Sequence, residues 1–290
     1  MKEEGFEDVP CNLCGSGNNY RVKLFQHKGS KKWQLVKCQN CGFVFHSPRL
    51  NEKIAVDAYD NKSPFADIIH SKLEIDEYLK RYLKEDVIQS FSKELDKIEK
   101  IKKSPGKILD IGSGPGTIVM LAKKRGWDGV GIDIASWCKE AGEKIGVDVL
   151  IGDINEGFLA SESFDVCFSF SAIEHFYNPL KTMKEIYRCL KPGGVSVTSG
   201  MTNYNSIERK IGLKNYWKTS DPPAVVSYWT PQSMRFMHKK AGFLQNNINI
   251  ECEWIQNKII WSCLYPIKPL ANKLLNKCGL GTSLRVVAMK

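Results

Sequence analysis

The sequence predicts an α/β fold, a doubly wound, Rossmann-like parallel sheet preceded by a small cysteine-rich ribbon. Three observations carry this reading. Ile108, Leu109 and Ile111 form an apolar run that meets glycines at 112, 114 and 116, and Ile118, Val119, Leu121 and Ala122 follow, which gives strand, tight loop and helix in succession. Strand-like runs near 107–112, 128–133, 147–151, 164–170 and 194–199 then alternate with helical stretches, the pattern of a parallel sheet covered on both faces. Ahead of them, Cys11-x-x-Cys14 and Cys38-x-x-Cys41 repeat the same knuckle spacing.

The bulk properties bound the answer. At 290 residues with 42% apolar content, the chain can bury one large core and a small second one, so disorder is not the default. Met1-Lys-Glu-Glu-Gly-Phe-Glu7 is charged and lacks the apolar core of a secretion signal, and the apolar stretch from Ile259 to Leu270 is short and broken by Pro266 and Lys268. The reading is therefore a cytoplasmic protein without a transmembrane segment. In that setting paired C-x-x-C spacing points to metal rather than to disulfides. The net charge of +10 falls to about +8 once four thiolates hold a divalent ion. A surplus of that size attracts RNA, anionic membrane or a phosphorylated substrate without choosing among them.

Residues 1–50 read as a zinc ribbon. Gly15 and Gly42 follow the two knuckles and allow tight turns, while Trp33–Lys37 and Phe43–His46 alternate in strand fashion. Cys11, Cys14, Cys38 and Cys41 would fill a tetrahedral shell, so a bound Zn²⁺ would be structural; iron in a rubredoxin-like knuckle stays an alternative. Residues 51–105 form a helical linker or lid. Ile75, Leu79, Tyr82, Leu83, Val87, Phe91, Leu95 and Ile98 recur at three- and four-residue steps and predict one amphipathic helix over about 72–103, ended by Ser104-Pro105-Gly106. Residues 106–290 form the α/β domain. In it Lys191-Pro-Gly-Gly194 signals a turn, Thr230-Pro231 opens a helix to about Ala241, and Leu284–Met289 reads as a strand. The aromatic-rich insert at 201–229, with Tyr204, Tyr216, Trp217 and Tyr228, reads equally as an acceptor site or as a packed flap.

The glycine loop discriminates among nucleotide sites. The dinucleotide fingerprint needs a third glycine where Thr117 stands, and the Gly-Lys-Ser/Thr ending of a phosphate-cradling loop is absent. Gly129-Val-Gly-Ile-Asp133 ends in an acid about 20 residues beyond Gly112, where a carboxylate accepts hydrogen bonds from a ribose diol. With Asp110 at the same mouth the site is acidic, which suits a cationic nucleoside better than a pyrophosphate.

On these residues the chain resembles the class I S-adenosylmethionine-dependent methyltransferases. Ile108-Leu-Asp-Ile-Gly-Ser-Gly-Pro-Gly116 is similar to their first motif, Gly129–Asp133 to the ribose motif, Ile151-Gly-Asp153-Ile154 to the adenine-edge motif, Phe164–His175 to the strand-four motif and Leu190-Lys-Pro-Gly-Gly194 to the turn before strand five. The resemblance implies that the backbone at Gly112, Gly114 and Gly116 passes the methionine part of S-adenosyl-L-methionine. It further implies that Asp110 holds the amino group and Asp133 the ribose, that Ile134 and Ile154 flank adenine, that Asp153 accepts from its amine, and that Phe170 joins the cofactor site. Tyr59, Tyr78 and Tyr82 would belong to a lid.

Glu174 and His175 follow strand four, where such enzymes place residues near the transferred methyl, and histidine suits proton transfer near neutral pH. A structural role for His175 stands beside that reading. Relatives carry a Pro-Glu-His-like run where this chain has Pro223-Ala-Val225, which leaves Asp221 or Tyr228 as substitutes. The cysteine-rich start resembles bacterial enzymes that methylate sugars and other small molecules in surface-polysaccharide or secondary-metabolite pathways. The acceptor expected is a small molecule, a sugar or lipid-linked glycan hydroxyl, with an rRNA base methyltransferase or a non-catalytic partner-binding scaffold as alternatives. Nucleic acid is the less favoured partner, since lysines such as those in 93–103 more often form a solvated face.

Overall fold

The computed structural model describes residues 5–22, 34–60, 74–212, 224–253 and 268–290. Trp33, Tyr216, Trp217, Asp221, Pro222, Pro223 and the apolar run from Ile259 to Ile267 lie outside the described residues. Two compact units emerge from the contacts, one made of residues 1–51, 173–183 and 198–288, the other of 52–172, 184–197 and 289–290. The ribbon therefore clusters with a late part of the chain and with the segment after strand four.

Five short strands open the chain: β1 (Phe6–Glu7), β2 (Asn19–Val22), β3 (Leu35–Cys38), β4 (Val44–His46) and β5 (Arg49–Leu50). Gly15 and Gly42 close the two knuckles at φ +74° each, a backbone state that costs glycine little and other residues more. Helix α1 (Glu52–Asp57) follows, and then α2 (Ile75–Tyr82) and α3 (Glu85–Lys102) where the apolar period predicts a single helix. The break falls at Leu83 and at Lys84, whose ψ of 145° is extended. Apolar spacing runs straight through it, but the charges mark it: Lys80 and Arg81 end α2, Glu85 and Asp86 begin α3, and each pair complements the dipole of its own helix end.

The α/β part alternates as expected: β6 (Lys107–Ile111), α4 (Thr117–Lys124), β7 (Asp128–Asp133), α5 (Trp137–Lys144), β8 (Val149–Ile151), β9 (Phe164–Phe170), α6 (Pro179–Cys189) and β10 (Leu190–Thr202). Beyond β10 lie α7 (Ile207–Lys210), β11 (Ser227–Tyr228), α8 (Pro231–Ala241), β12 (Ile248–Glu253), α9 (Lys268–Lys277) and β13 (Ser283–Met289). The seven-stranded sheet has the order β12-β13-β10-β9-β6-β7-β8, with β6 parallel to β7 and β9, β7 parallel to β8, and β12 antiparallel to β13. Buried on both faces, β6 reads as a continuous apolar run broken only by Asp110. The Lys191–Gly194 run, expected as a turn, lies inside β10 instead. Gly193 N–H donates to the Lys290 carbonyl (3.1 Å) and Lys290 N–H to the Gly194 carbonyl (3.0 Å), so the far end of the chain supplies the partner that extends the strand.

A second sheet has the order β11-β4-β3-β2, so the ribbon completes itself with a strand from the end of the 201–229 insert. Leu35, Val44, Tyr204, Val225 and Tyr228 form its buried core. Tyr204, Val225 and Tyr228 of the insert are thus packed inside the ribbon core, whereas Ile211 is exposed. Immediately after β11, the capping expectation holds: Thr230 Oγ1 accepts from Ser233 N–H (3.1 Å), Ser233 Oγ accepts from Thr230 N–H (2.9 Å), and Pro231 occupies the first turn. Replacing Thr230 by alanine is expected to lower stability by about 1 kcal/mol, read from the midpoint of urea unfolding. No helix among the described residues is long and apolar enough to cross a membrane.

Candidate active site

The glycine loop after β6 is set by its backbone. Gly112, Gly114 and Gly116 have φ of 69°, 54° and 81°, left-handed values that explain the residue type at each position. Gly112 N–H donates to the Ile132 carbonyl (2.9 Å), which ties the loop to β7. At the end of β7, Asp133 accepts Gly114 N–H on Oδ2 (2.9 Å) and Ala135 N–H on Oδ1 (3.0 Å). Gly152 N–H in turn donates to the Asp133 carbonyl (2.9 Å), which brings the turn after β8 to the same place. There Asp153 caps a short helical turn through Asn155 N–H (2.9 Å), and Ile154 is buried while Ile134 is half-buried.

Electrostatically this mouth is unsettled. Burial, and then the nearby Asp133 carboxylate, push the Asp110 carboxyl well above the usual range. Asp133 is raised by burial as well, against the opposing pull of backbone N–H donors, led by Ala135 and Gly114, and of the Cys138 thiol. Among the described residues Asp110 has no hydrogen-bond donor facing its carboxylate. A buried acid and a half-buried one, with no cation between them among the described residues, fit a ligand that brings positive charge and hydroxyl donors, as S-adenosylmethionine does.

Of the three tyrosines expected in a lid, Tyr82 is placed over the loop. A Cβ at Gly114 would stand 3.4 Å from its ring, and burial together with the Asp133 charge raises its phenol. Tyr78 stacks on Trp137 at 4.1 Å between ring centroids, whereas Tyr59 lies in the turn closing α1. Trp137 was not anticipated, although an aromatic at the start of the helix after Asp133 is a readable cue. Phe170 ends β9 and meets the edge of Phe91 at 5.1 Å.

Glu174 and His175 belong to the other unit, in a short turn after β9. His175 Nδ1 lies 2.7 Å from the Ala224 carbonyl, which only accepts, so Nδ1 carries the proton and the basic lone pair of the neutral ring sits on Nε2. The main chain of Glu174 accepts from Val226 N–H (3.0 Å) and Ser227 Oγ (3.3 Å). Its Oε2 is buried without a partner among the described residues, and burial raises its carboxyl against the opposing influence of His175. Tyr228, a substitute base by sequence, pairs in β11 with its ring against His46 at 5.7 Å and is 2% exposed, so it is part of the ribbon core.

The four cysteines converge. Their sulfurs all lie within 4.8 Å of one another, with Cys11 and Cys41 at 3.4 Å and Cys14 and Cys38 at 3.5 Å. The hydrogen bond from the Cys11 thiol lowers the Cys41 thiol below its usual range. Four soft ligands in this arrangement can hold one tetrahedral metal ion with no position left open.

Comparison with known proteins agrees with this geometry. A family model described as a methyltransferase domain matches residues 76–244. A probable methyltransferase of Aspergillus luteorubrus is 30% identical over 162 residues, 47% of this chain and 56% of that protein. A malonyl-[acyl-carrier protein] O-methyltransferase of Enterobacter lignolyticus is 28% identical over 47% of this chain and 50% of its own length. The chain thus spans about half the length of these curated relatives. Among solved structures, a SAM-dependent methyltransferase of Archaeoglobus fulgidus superposes with a TM-score of 0.52 at 20% identity, covering 70% of this chain and 94% of that one, a likeness of fold.

Proposed function

Because the chain belongs to the methyltransferase-domain family, we propose that it transfers the methyl group of S-adenosylmethionine to a hydroxyl of a small-molecule acceptor, with a sugar or glycan precursor as the favoured form. The observation that carries this is the acidic pair of buried Asp110 and half-buried Asp133 around a left-handed glycine loop. When bound, S-adenosylmethionine supplies a methyl group already activated by its positive sulfur. Asp110 then balances the ammonium of the ligand. Asp133, whose two oxygens offer about four lone-pair sites beside the backbone and Cys138 donors they already hold, receives the ribose hydroxyls. Ile134 and Ile154 flank adenine, Asp153 accepts its amine, and Phe170 closes the site.

For a hydroxyl acceptor, His175 takes up the released proton on Nε2, and the Nδ1 bond to Ala224 fixes its ring for that task. Glu174 sits beside it as a buried carboxyl that favours the imidazolium once formed. An oxygen acceptor is supported by the chemistry named for the Enterobacter relative; the sugar is supported by the resemblance of the cysteine-rich start to small-molecule enzymes. A small acceptor rather than RNA is further supported by α3, whose lysines alternate with Glu94, Asp96 and Glu99; Glu94 pairs with Lys97, and the other two with Arg125. We propose zinc as the ion of the four-cysteine site, in a structural role. We also keep the division into ribbon (1–50), helical lid (51–105) and α/β domain (106–290) as a functional proposal.

Calorimetric titration with S-adenosylmethionine tests the donor, and mass shifts in a panel of hydroxylated sugars and nucleotide sugars test the acceptor. His175→Ala is expected to lower turnover by about 10²-fold or more while changing cofactor affinity less than twofold. Unchanged turnover assigns His175 a structural role; absence of cofactor binding removes the methyltransferase reading.

A further inference from the structure

Resting on that reading, we propose that the metal ribbon is the clamp that positions the acceptor-side segment 173–177, with Asn12, Arg49 and Val226 as positioning residues for His175. The ribbon holds this segment at two points. On one side, Asn12, which lies inside the first knuckle between Cys11 and Cys14, donates through Nδ2 to the Tyr177 carbonyl. Arg49 Nη1 donates to the same carbonyl (3.3 Å), its guanidinium lies 4.2 Å from the centre of the Tyr177 ring, and its Nε pairs with Glu7 at 3.3 Å. Arg49 is 7% exposed and Tyr177 6%, so the contact between these two is shielded from water.

On the other side a backbone relay runs out of the ribbon sheet. His46 N–H in β4 donates to the Val226 carbonyl (3.0 Å), and Val226 N–H donates to the Glu174 carbonyl (3.0 Å). The neighbouring Ala224 carbonyl receives His175 Nδ1 (2.7 Å). Strand β11 keeps residues 224–228 in register, because Ser227 pairs with Phe45 and Tyr228 with Val44. The cysteine knuckles therefore set Tyr177 directly and set Glu174 and His175 through β4 and residues 224–228. A purely structural ribbon needs neither contact: the four thiolates and the β2-β3-β4 ladder would close without reaching residues 173–177. Nor do the cofactor-side residues Asp110 and Asp133 enter this chain of contacts, so the clamp acts on the acceptor side alone.

The test uses the full chain loaded with cobalt in place of zinc, whose thiolate absorption reports that the four-cysteine site is intact. In the double variant Asn12→Ala, Arg49→Met, amide exchange across 173–178 and at Val226 is expected to rise about tenfold or more. The ¹⁵N signals of His175 should move from a pure Nδ1–H tautomer towards a mixture. S-adenosylmethionine affinity should stay within twofold, and turnover should fall with little change in the KM for the cofactor. Unchanged exchange and an unchanged His175 tautomer with the cobalt absorption intact overturn the clamp. If the double variant loses its cobalt absorption, Arg49→Met alone, which leaves the knuckle untouched, decides by the same readouts. Failure of the methyltransferase reading appears separately, as wild-type protein that does not bind the cofactor.

Discussion

Asp110→Asn is expected to make the protein more stable and a poorer binder of S-adenosylmethionine. The carboxyl is buried at the end of β6 with the Asp133 carboxylate nearby, and both facts raise its pKa in the folded state. A raised acid pKa means the folded chain holds the proton more tightly than the unfolded one. Its penalty is therefore absent at low pH and grows as pH rises from the ordinary aspartate value, about 3.9, through the raised folded value. Asparagine carries no ionisable proton, so it removes the part of that loss that grows with pH. The same substitution removes the negative partner of the ligand's ammonium, worth about 1.5–3 kcal/mol, or about 10- to 100-fold in Kd. Thermal unfolding of the free protein and calorimetric titration should thus move in opposite directions. In the wild type, cofactor affinity should rise with pH over the window in which free-protein stability falls, and most of that dependence should vanish in the variant.

Removing the metal proposed for the four-cysteine site is expected to have the larger structural effect. Four sulfurs packed within 4.8 Å, three of them on buried cysteines, repel one another as thiolates unless a cation lies between them. Structural zinc sites of this type bind with apparent free energies on the order of 10–16 kcal/mol near neutral pH, and that energy stabilises the fold around them. Cys38→Ser is expected to lose the metal and to destabilise the β2-β3-β4-β11 sheet by several kcal/mol, because Cys38 ends β3 and its N–H also donates to the Phe43 carbonyl across the second knuckle (2.9 Å). Metal content by elemental analysis and exchange at residues 34–50 read the result. Less than one zinc per wild-type chain would remove the zinc proposal.

What was legible in the sequence was what backbone geometry demands locally. Glycines at 112, 114 and 116 announce positive φ, Asp133 closes an apolar strand, paired C-x-x-C spacing announces a ligand cluster, and Thr230-Pro231 announces a helix start; each signal lies within a few residues of its effect. The helix break at Leu83–Lys84 was hidden because the apolar period survives it and no Gly or Pro marks it. The strand character of Lys191–Gly194 depends on Lys290, far away in sequence. Tyr204 and Tyr228 looked as suited to a ligand as to a core, and only their packing against Leu35 and Val44 assigns them to the latter. Asn12, Arg49 and Tyr177 carry no motif at all, since what they do depends on a contact between segments more than 120 residues apart.

The strand β11 bears on how the chain comes to be folded. Ser227 pairs with Phe45 about 180 residues earlier, so the ribbon sheet cannot close its fourth strand until the whole stretch between them has been made. At ordinary elongation rates that is a delay of roughly 10–40 s. During it the edge of β4, with Val44 and Phe45 on it, waits open for its mate. Early capture of the proposed ion by the four cysteines would hold that edge in shape, making it a bookmark that keeps β4 ready for β11.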